Sequence, residues 1–349
     1  MTTFRLACTR NLFSEDGSPA FDFGLDLLAG REDIQWEALA RDVEELSPAE
    51  LAPYDGLFIE WPTRLTRASL EGADRLRVVA RFGVGYDNVD VPACTDHGAI
   101  VTITPDGVRR PMAAAAVTLV LALSQHLLHR ERLTREGRWA DRGRFTGVGL
   151  TDRTIGLVGF GNIGRETAKL LAPFDARILV ADPYVEEAEA AQSSCTLVSL
   201  DTLLRESDFV VVLCALTDDT WHLIDRDRLH TMKSSAFLVN VARGPIVDQA
   251  ALIEALTTGG IQGAGLDVFE EEPIPVGEPL LALENVIVTG HSLGWTDQCM
   301  RDCGLSALQS VIDVAEGRVP SHVVNREALA HPRLSSLSGT QPREKAERS

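Results

Sequence analysis

Gly159-Phe160-Gly161-Asn162-Ile163-Gly164 is the stretch whose reading decides the fold. It follows the apolar run Thr154 to Val158 and precedes Arg165 to Leu171, which reads as a helix. A G-x-G-x-x-G loop between strand and helix is a dinucleotide-binding turn. Gly159 permits the tight turn, Gly161 lets a pyrophosphate approach the backbone, and Gly164 allows close helix–strand packing. The helix start at Asn162 and Ile163 offers unpaired N–H groups and a partial positive charge. Asp182 stands eighteen residues past Gly164, at the end of the next strand, Arg177 to Ala181. Its carboxylate suits a ribose diol and repels a 2′-phosphate, so the predicted cofactor is NAD rather than NADP. The bland alternative is a strand–turn–helix that binds nothing. The acidic residue at this distance argues against it.

Outward from the loop, short apolar runs alternate with helical ones. Phe209 to Leu213 is almost wholly apolar, as in a parallel strand covered on both faces. Ala236 to Val241, Gly263 to Val268 and Val286 to Thr289 continue the series. Before the loop, Phe4 to Cys8, Leu57 to Ile59, Arg77 to Ala80 and Ile100 to Ile103 read as strands of a smaller α/β unit. Pro111 suits a first helical position. Ala113 to Glu131 then runs without Gly or Pro, which predicts one long, largely buried helix. After Thr296 the chain reads as helix to about Ala315. The tail from His331 to Ser349 has almost no apolar residues and is predicted to be disordered.

The 349 residues suit two domains of ordinary size. Lys plus Arg is 33 and Asp plus Glu is 51, a formal net charge of −18. Such a surface repels phosphate backbones and anionic lipid, so neither nucleic acid nor a membrane is an expected partner. An anionic substrate would need a local positive pocket. The six cysteines form no C-x-x-C pair, and no metal site is expected. Met1 to Arg5 lacks the apolar core of a signal peptide, and Ala113 to Leu123 is too short for a bilayer span. A cytoplasmic, reduced protein is expected.

Four further segments carry a family resemblance. Asn240-Val241-Ala242-Arg243-Gly244-Pro245-Ile246-Val247-Asp248 resembles the N-x-[AS]-R-G-x-x-[VI]-[DN] segment of the D-isomer-specific 2-hydroxyacid dehydrogenases. Leu266 to Pro273 is similar to that family's D-V-F-x-x-E-P, and Thr289 to Trp295 to its T-P-H segment. Arg81-Phe82-Gly83-Val84-Gly85-Tyr86-Asp87-Asn88-Val89-Asp90 resembles its substrate-domain loop. The likeness spans about residues 50 to 325 in the family's order. It implies two Rossmann-like domains: a discontinuous flavodoxin-like substrate domain and a doubly wound NAD-binding domain. Residues 1–108 would begin the substrate domain, 109–297 would bind the dinucleotide, 298–330 would return, and 331–349 would be the tail. The helix after Pro111 would serve as hinge and dimer element, with Trp139 on a dimerisation arm, so a homodimer is expected.

The implied reaction is NAD-dependent interconversion of a D-2-hydroxy acid and its 2-keto acid. Arg243 can fork onto a carboxylate or polarise a carbonyl. His291 is the natural acid/base among eight histidines, because the apolar run Val286 to Val288 delivers it to the carboxyl edge of the sheet. Glu272 would pair with it and stabilise the imidazolium. The residues alone do not choose among Glu270, Glu271 and Glu272; the E-P step of the family pattern selects Glu272, leaving the other two solvated. Consecutive N–H groups in the loop Phe82, Gly83, Val84 and Gly85 would meet the substrate carboxylate, with Trp61 nearby. The resemblance also implies that Asp267 holds the nicotinamide carboxamide. Val84, Cys214, Val241, Ala242 and Gly294 would line the cofactor.

Three departures stand out. Phosphoglycerate-oxidising members carry Arg-Ser where this chain reads Glu60-Trp61, and a carboxylate there opposes a substrate phosphate. Gly290 replaces the proline before the catalytic histidine, which is expected to loosen that turn. Arg109 and Arg110 stand where relatives have small polar residues, and Ala114 where they have an acid. Competing readings are an NAD-sensing, corepressor-like scaffold and a phosphite- or formate-type dehydrogenase. Formate-oxidising relatives use Gln where this chain has Glu272.

Overall fold

Two all-parallel sheets hold the twelve strands found among residues 3–338, the residues that the computed structural model describes. In the first, β1 (Phe4–Cys8), β2 (Ile34–Ala38), β3 (Gly56–Ile59), β4 (Val78–Arg81) and β5 (Ile100–Thr102) run in the order β2-β1-β3-β4-β5. In the second, β6 (Thr154–Val158), β7 (Arg177–Ala181), β8 (Thr196–Leu197), β9 (Phe209–Val212), β10 (Phe237–Asn240), β11 (Gly263–Leu266) and β12 (Val286–Val288) run β12-β11-β10-β9-β6-β7-β8. These are the flavodoxin-like and doubly wound orders, and the fold is the α/β class that the sequence predicts.

The chain divides into two units. One takes the residues up to Val108 and from Thr296 onward; the other is Arg109–Trp295. In the second unit β6, β9 and β10 are buried along their whole length, which is why they read as unbroken apolar runs. Leu157 pairs with Val211, and Val211 with Val239, across the sheet centre. Ala116, Leu119, Val120 and Leu123 of the helix Pro105–Ser124 belong to the core that covers one face. Burying each such Leu or Val contributes about 1.5–3 kcal/mol. By length and hydropathy this helix matches a membrane span, but 56% of that window is buried inside the protein, so it is a core helix.

In the first unit, the helix Asp297–Ala315 packs on β4 and β3. Gly304 meets the Phe23 carbonyl so closely that no Cβ would fit there. Asn325 then closes the edge of β5: Oδ1 accepts the Val101 N–H at 2.8 Å and Nδ2 donates to the Ala99 carbonyl at 2.9 Å. The backbone joins it there: the Val324 N–H donates to the Val101 carbonyl at 2.8 Å, and Thr102 bridges Val323.

Several local expectations need correction. The strand β2 has no counterpart among the expected strands, because it is an edge strand with exposed Gln35, Trp36 and Glu37 and no apolar run. The long helix begins at Pro105, six residues before Pro111, which lies inside it. It ends at Ser124, and a second helix, Leu127–Arg135, follows His126, whose φ of 48° is left-handed. Residues 331–338, expected in a disordered tail, form a turn at Pro332–Leu334 with Leu334 buried. Arg333 there donates to Asp74 at 2.5 Å and to the His97 carbonyl at 3.1 Å. The rest of that tail, 339–349, lies outside the described residues.

Candidate active site

The order of the second sheet reverses between β6 and β9, and the glycine loop lies at that switch point, where open α/β sheets bind ligands. Gly159 has φ 100°, and a Cβ on it would lie 2.6 Å from the Cys214 nitrogen. A Cβ on Gly164 would lie 2.5 Å from the Gly159 carbonyl oxygen. Gly161 faces open space, with nothing within 4 Å of a Cβ built there. It precedes the helix Asn162–Leu171, whose first turn has no side-chain cap. The residues therefore fit a dinucleotide: an open approach over Gly161 and uncapped N–H groups aimed at an anion. Asp182 braces the loop from below. Its Oδ2 accepts the Phe160 N–H at 2.7 Å and its Oδ1 the Tyr184 N–H at 2.9 Å.

Arg243, Glu272 and His291 follow β10, β11 and β12, three neighbouring strands, at their carboxyl ends. Glu272 and His291 meet directly, with Oε2 and Nδ1 2.7 Å apart. Glu272 Oε1 accepts the Phe269 N–H at 3.0 Å, which aims the carboxylate. The side chains are 15% and 30% exposed, dry enough to strengthen the bond and open enough to reach substrate. Arg243 is presented by Asn240, which is buried; Asn240 Nδ2 donates to the Arg243 carbonyl at 2.9 Å. Gly244 packs on the Phe269 carbonyl with no space for a Cβ, which seats the arginine loop against the loop of Glu272.

The turn of His291 is firm where Gly290 suggested looseness. Asp267, 1% exposed, accepts from Thr289 Oγ1 at 2.6 Å, Ser292 N–H at 3.1 Å and Leu293 N–H at 3.2 Å. Its carbonyl accepts the His291 N–H at 2.7 Å. The positive φ falls on His291 itself, at 53°. The Asp267 carboxylate thus anchors the histidine loop; its expected contact with the nicotinamide would be an additional role beside these bonds. Among the other expected cofactor residues, Val241 is buried and Cys214 is half-buried, its thiol pushed up to about 11 by burial. The Ala242 N–H is spent on Asn240 Oδ1 at 3.0 Å. Gly294 faces the Met112 sulfur with no room for a Cβ.

The expected anion loop of the first unit is narrower than its sequence suggested. The Phe82 N–H goes to the Ile59 carbonyl at 2.9 Å and the Gly83 N–H to Thr104 Oγ1 at 2.8 Å. That leaves the N–H groups of Val84 and Gly85 to meet an anion. The Phe82 ring is buried against Phe58 and Phe21, at 5.9 Å from each centroid to centroid, so it packs rather than reads a ligand. The Trp61 carbonyl accepts from Asn11 Nδ2 at 2.7 Å. Glu60 is buried, and Asn11 Nδ2 also donates to its Oε2 at 2.6 Å. Burial pushes its pKa up to about 7 against the pull of Arg81. Glu60 is therefore not the fully ionised surface carboxylate that the sequence argument assumed. Arg109 and Arg110 both turn to Glu166.

Sequence reasoning missed one cluster. Glu270 is exposed, as expected, but it also lies 2.8 Å from His222 Nε2 and accepts the Gln249 N–H at 3.0 Å. Ligand-type atoms of His222, Asp248 and Glu270 come within 4.8 Å of one another. Glu270 Oε1 and Asp248 Oδ1 already accept backbone N–H bonds, so hydrogen bonding accounts for the cluster without an ion. No local signal marks it, because the three residues come from three separate loops. His126 and His129, in turn, are packing groups: their rings stand 5.9 Å apart and His129 stacks on Phe145 at 4.5 Å.

Comparison with known proteins points to one family. The family model described as D-isomer specific 2-hydroxyacid dehydrogenase, NAD binding domain, matches residues 117–292. The chain is 38% identical over 316 residues to a glyoxylate reductase of Pyrococcus horikoshii, covering 88% of this chain and 91% of that protein. Among solved structures, the TT0316 protein of Thermus thermophilus superposes with a TM-score of 0.80 and 32% identity, over 92% of this chain and 100% of that one. A D-lactate dehydrogenase of Aquifex aeolicus, complexed with NAD and lactic acid, gives 0.79 at 25% identity, over 89% and 96%.

Proposed function

The chain belongs to the D-isomer-specific 2-hydroxyacid dehydrogenase family and is an NAD-dependent enzyme interconverting a 2-hydroxy acid and its 2-keto acid, and from this premise we propose how its residues divide the work. The 2.7 Å contact between His291 and Glu272 carries the reading. With Nδ1 held by the carboxylate, Nε2 is the atom that gives its proton to the carbonyl oxygen during reduction and takes it back during oxidation. Glu272 stabilises the imidazolium that waits before transfer. Arg243 takes the substrate carboxylate and polarises the C2 carbonyl. A nicotinamide held there would supply hydride in reduction and accept it in oxidation. The N–H groups of Val84 and Gly85 are the anion donors of the substrate-binding loop. Gly161, Asn162, Ile163 and Asp182 hold the dinucleotide.

The substrate is a small 2-keto acid without a phosphate. Relatives named glyoxylate reductase along nearly their whole length support that class, and Glu60 stands where an Arg would be needed for phosphate. The scaffold and the phosphite- or formate-type readings lose support on the same likeness. We further propose a cytoplasmic homodimer, with exposed Leu127, Leu128 and Trp139 on the shared face. The test is NADH oxidation with glyoxylate, pyruvate, hydroxypyruvate and 3-phosphohydroxypyruvate. Turnover of the first three with kcat/KM above that of the phosphorylated acid is expected. Preference for the phosphorylated acid would overturn the substrate class, and inertness towards all four would overturn the reaction.

A further inference from the structure

Glu270 and Glu272 sit two residues apart on one irregular segment, and each faces a histidine. We infer that His222 and Gln249, acting through Glu270, are positioning residues for the His291–Glu272 pair. This rests on the reading of that pair as the acid/base couple.

The segment that carries Glu272 has no regular secondary structure between β11 and Pro273. Something other than a ladder must hold it. Gln249 and Glu270 clasp each other in both directions: the Gln249 N–H donates to Glu270 Oε1 at 3.0 Å, and the Glu270 N–H donates to Gln249 Oε1 at 3.1 Å. His222 Nε2 adds a third contact to the same carboxylate oxygen at 2.8 Å. Both partners are themselves anchored. Gln249 opens the helix Gln249–Thr258, capped by Asp248, which accepts the Ala251 N–H at 2.9 Å. His222 has a left-handed φ of 48°, its N–H donates to the Pro245 carbonyl at 2.8 Å, and Trp221 stacks on its ring at 5.1 Å.

Across the segment, the Phe269 N–H aims Glu272 Oε1 at 3.0 Å, and Oε2 faces His291 at 2.7 Å. Glu270 is thus the outer grip and Glu272 the inner one, with a single residue between them. A displacement of the segment by about 1 Å would take Glu272 out of hydrogen-bond reach, and misplacements of that size cost up to about 10²-fold in rate. The outer carboxylate is engaged by His222 and Gln249, so on this inference its effect travels through Glu272.

Three variants test this in the full chain: Glu270→Ala, Glu270→Gln and Gln249→Ala. Glu270→Ala should lower kcat about tenfold and leave KM for NADH within about twofold. Glu270→Gln keeps the acceptor and should restore most of the rate. In a His291→Asn background, Glu270→Ala should cost less than about twofold more. An unchanged kcat, or the same tenfold loss in the His291→Asn background, would overturn the inference. If Glu270→Ala does not fold, Gln249→Ala is read by the same criteria. Full turnover by His291→Asn alone would instead overturn the acid/base reading, and it shows without any change at Glu270.

Discussion

His291 Nδ1 and Glu272 Oε2 lie 2.7 Å apart although nineteen residues separate them in the chain. The imidazole is fixed at one nitrogen, so only one ring orientation presents the other to substrate. His291→Asn should lower kcat by roughly 10²–10⁴ while NADH still binds with its normal affinity. Glu272→Gln should lose less, because the amide still fixes the ring but no longer favours imidazolium. Stopped-flow turnover and fluorescence titration of NADH separate the two effects. A near-normal kcat in His291→Asn would remove the residue from the mechanism.

Asp182 holds the Phe160 and Tyr184 N–H groups and keeps further lone pairs for a ribose diol. Asp182→Ala should therefore do two things. It should bring kcat/KM for NADH down towards that for NADPH, and it should destabilise the unit by about 1–3 kcal/mol through an orphaned Phe160 N–H. Equal use of both cofactors by the unaltered enzyme would refute the ribose role.

Gly159 and Gly161 are two residues apart and should respond oppositely to alanine. At Gly159 a Cβ meets the Cys214 nitrogen at 2.6 Å with φ at 100°, so the variant should be strongly destabilised. At Gly161 a Cβ meets nothing within 4 Å, so folding should be untouched while the methyl blocks the pyrophosphate approach. Thermal unfolding and NADH titration of both variants give the comparison. Normal NADH binding by Gly161→Ala would show that the dinucleotide does not pass over this residue.

Glu60 sets a pH dependence of stability. Its folded pKa is about 7, raised from the ordinary 4.5, with burial as the cause. The neutral acid is favoured in the folded chain, so the contribution is complete below the ordinary carboxylate range and is lost as pH rises towards and through 7. The difference corresponds to about 3 kcal/mol. Glu60→Gln should flatten the fall in denaturation midpoint between pH 5 and pH 8, and should match or exceed the unaltered protein at pH 8. A parallel pH profile for the two proteins would mean that Glu60 is already ionised when folded.

The glycine loop, Asp182 and the central strands were legible because their causes are local. A strand buried on both faces must be apolar along its length, and a tight turn against β9 must be glycine. β2 was not legible, because pairing with β1 alone makes it a strand and its side chains face solvent. Pro111 misled because a helix can absorb a proline when tertiary packing holds the turns on either side. The placing of Arg243, Glu272 and His291 at strand ends was readable as a pattern of motifs, and so was the pairing of Glu272 with His291; the hydrogen bonds that hold Glu272 and Arg243 in place were not.

What the order of residues determined alone is the menu: two α/β units, a dinucleotide turn, an arginine, a glutamate and a histidine at strand ends. Only the tertiary structure decided which hydrogen bonds those groups make. Glu270 is exposed as expected, but the fold also brings His222, forty-eight residues away, to 2.8 Å. Gly83 looked like an anion donor until Thr104, twenty-one residues on, took its N–H. Asp267 was expected only as a ligand contact, and the fold also gives its carboxylate the loop after β12 to hold. The physical reason is the same in each case: a backbone N–H or carboxylate has few bonds to give, and a distant segment brought near by the sheet order takes them first.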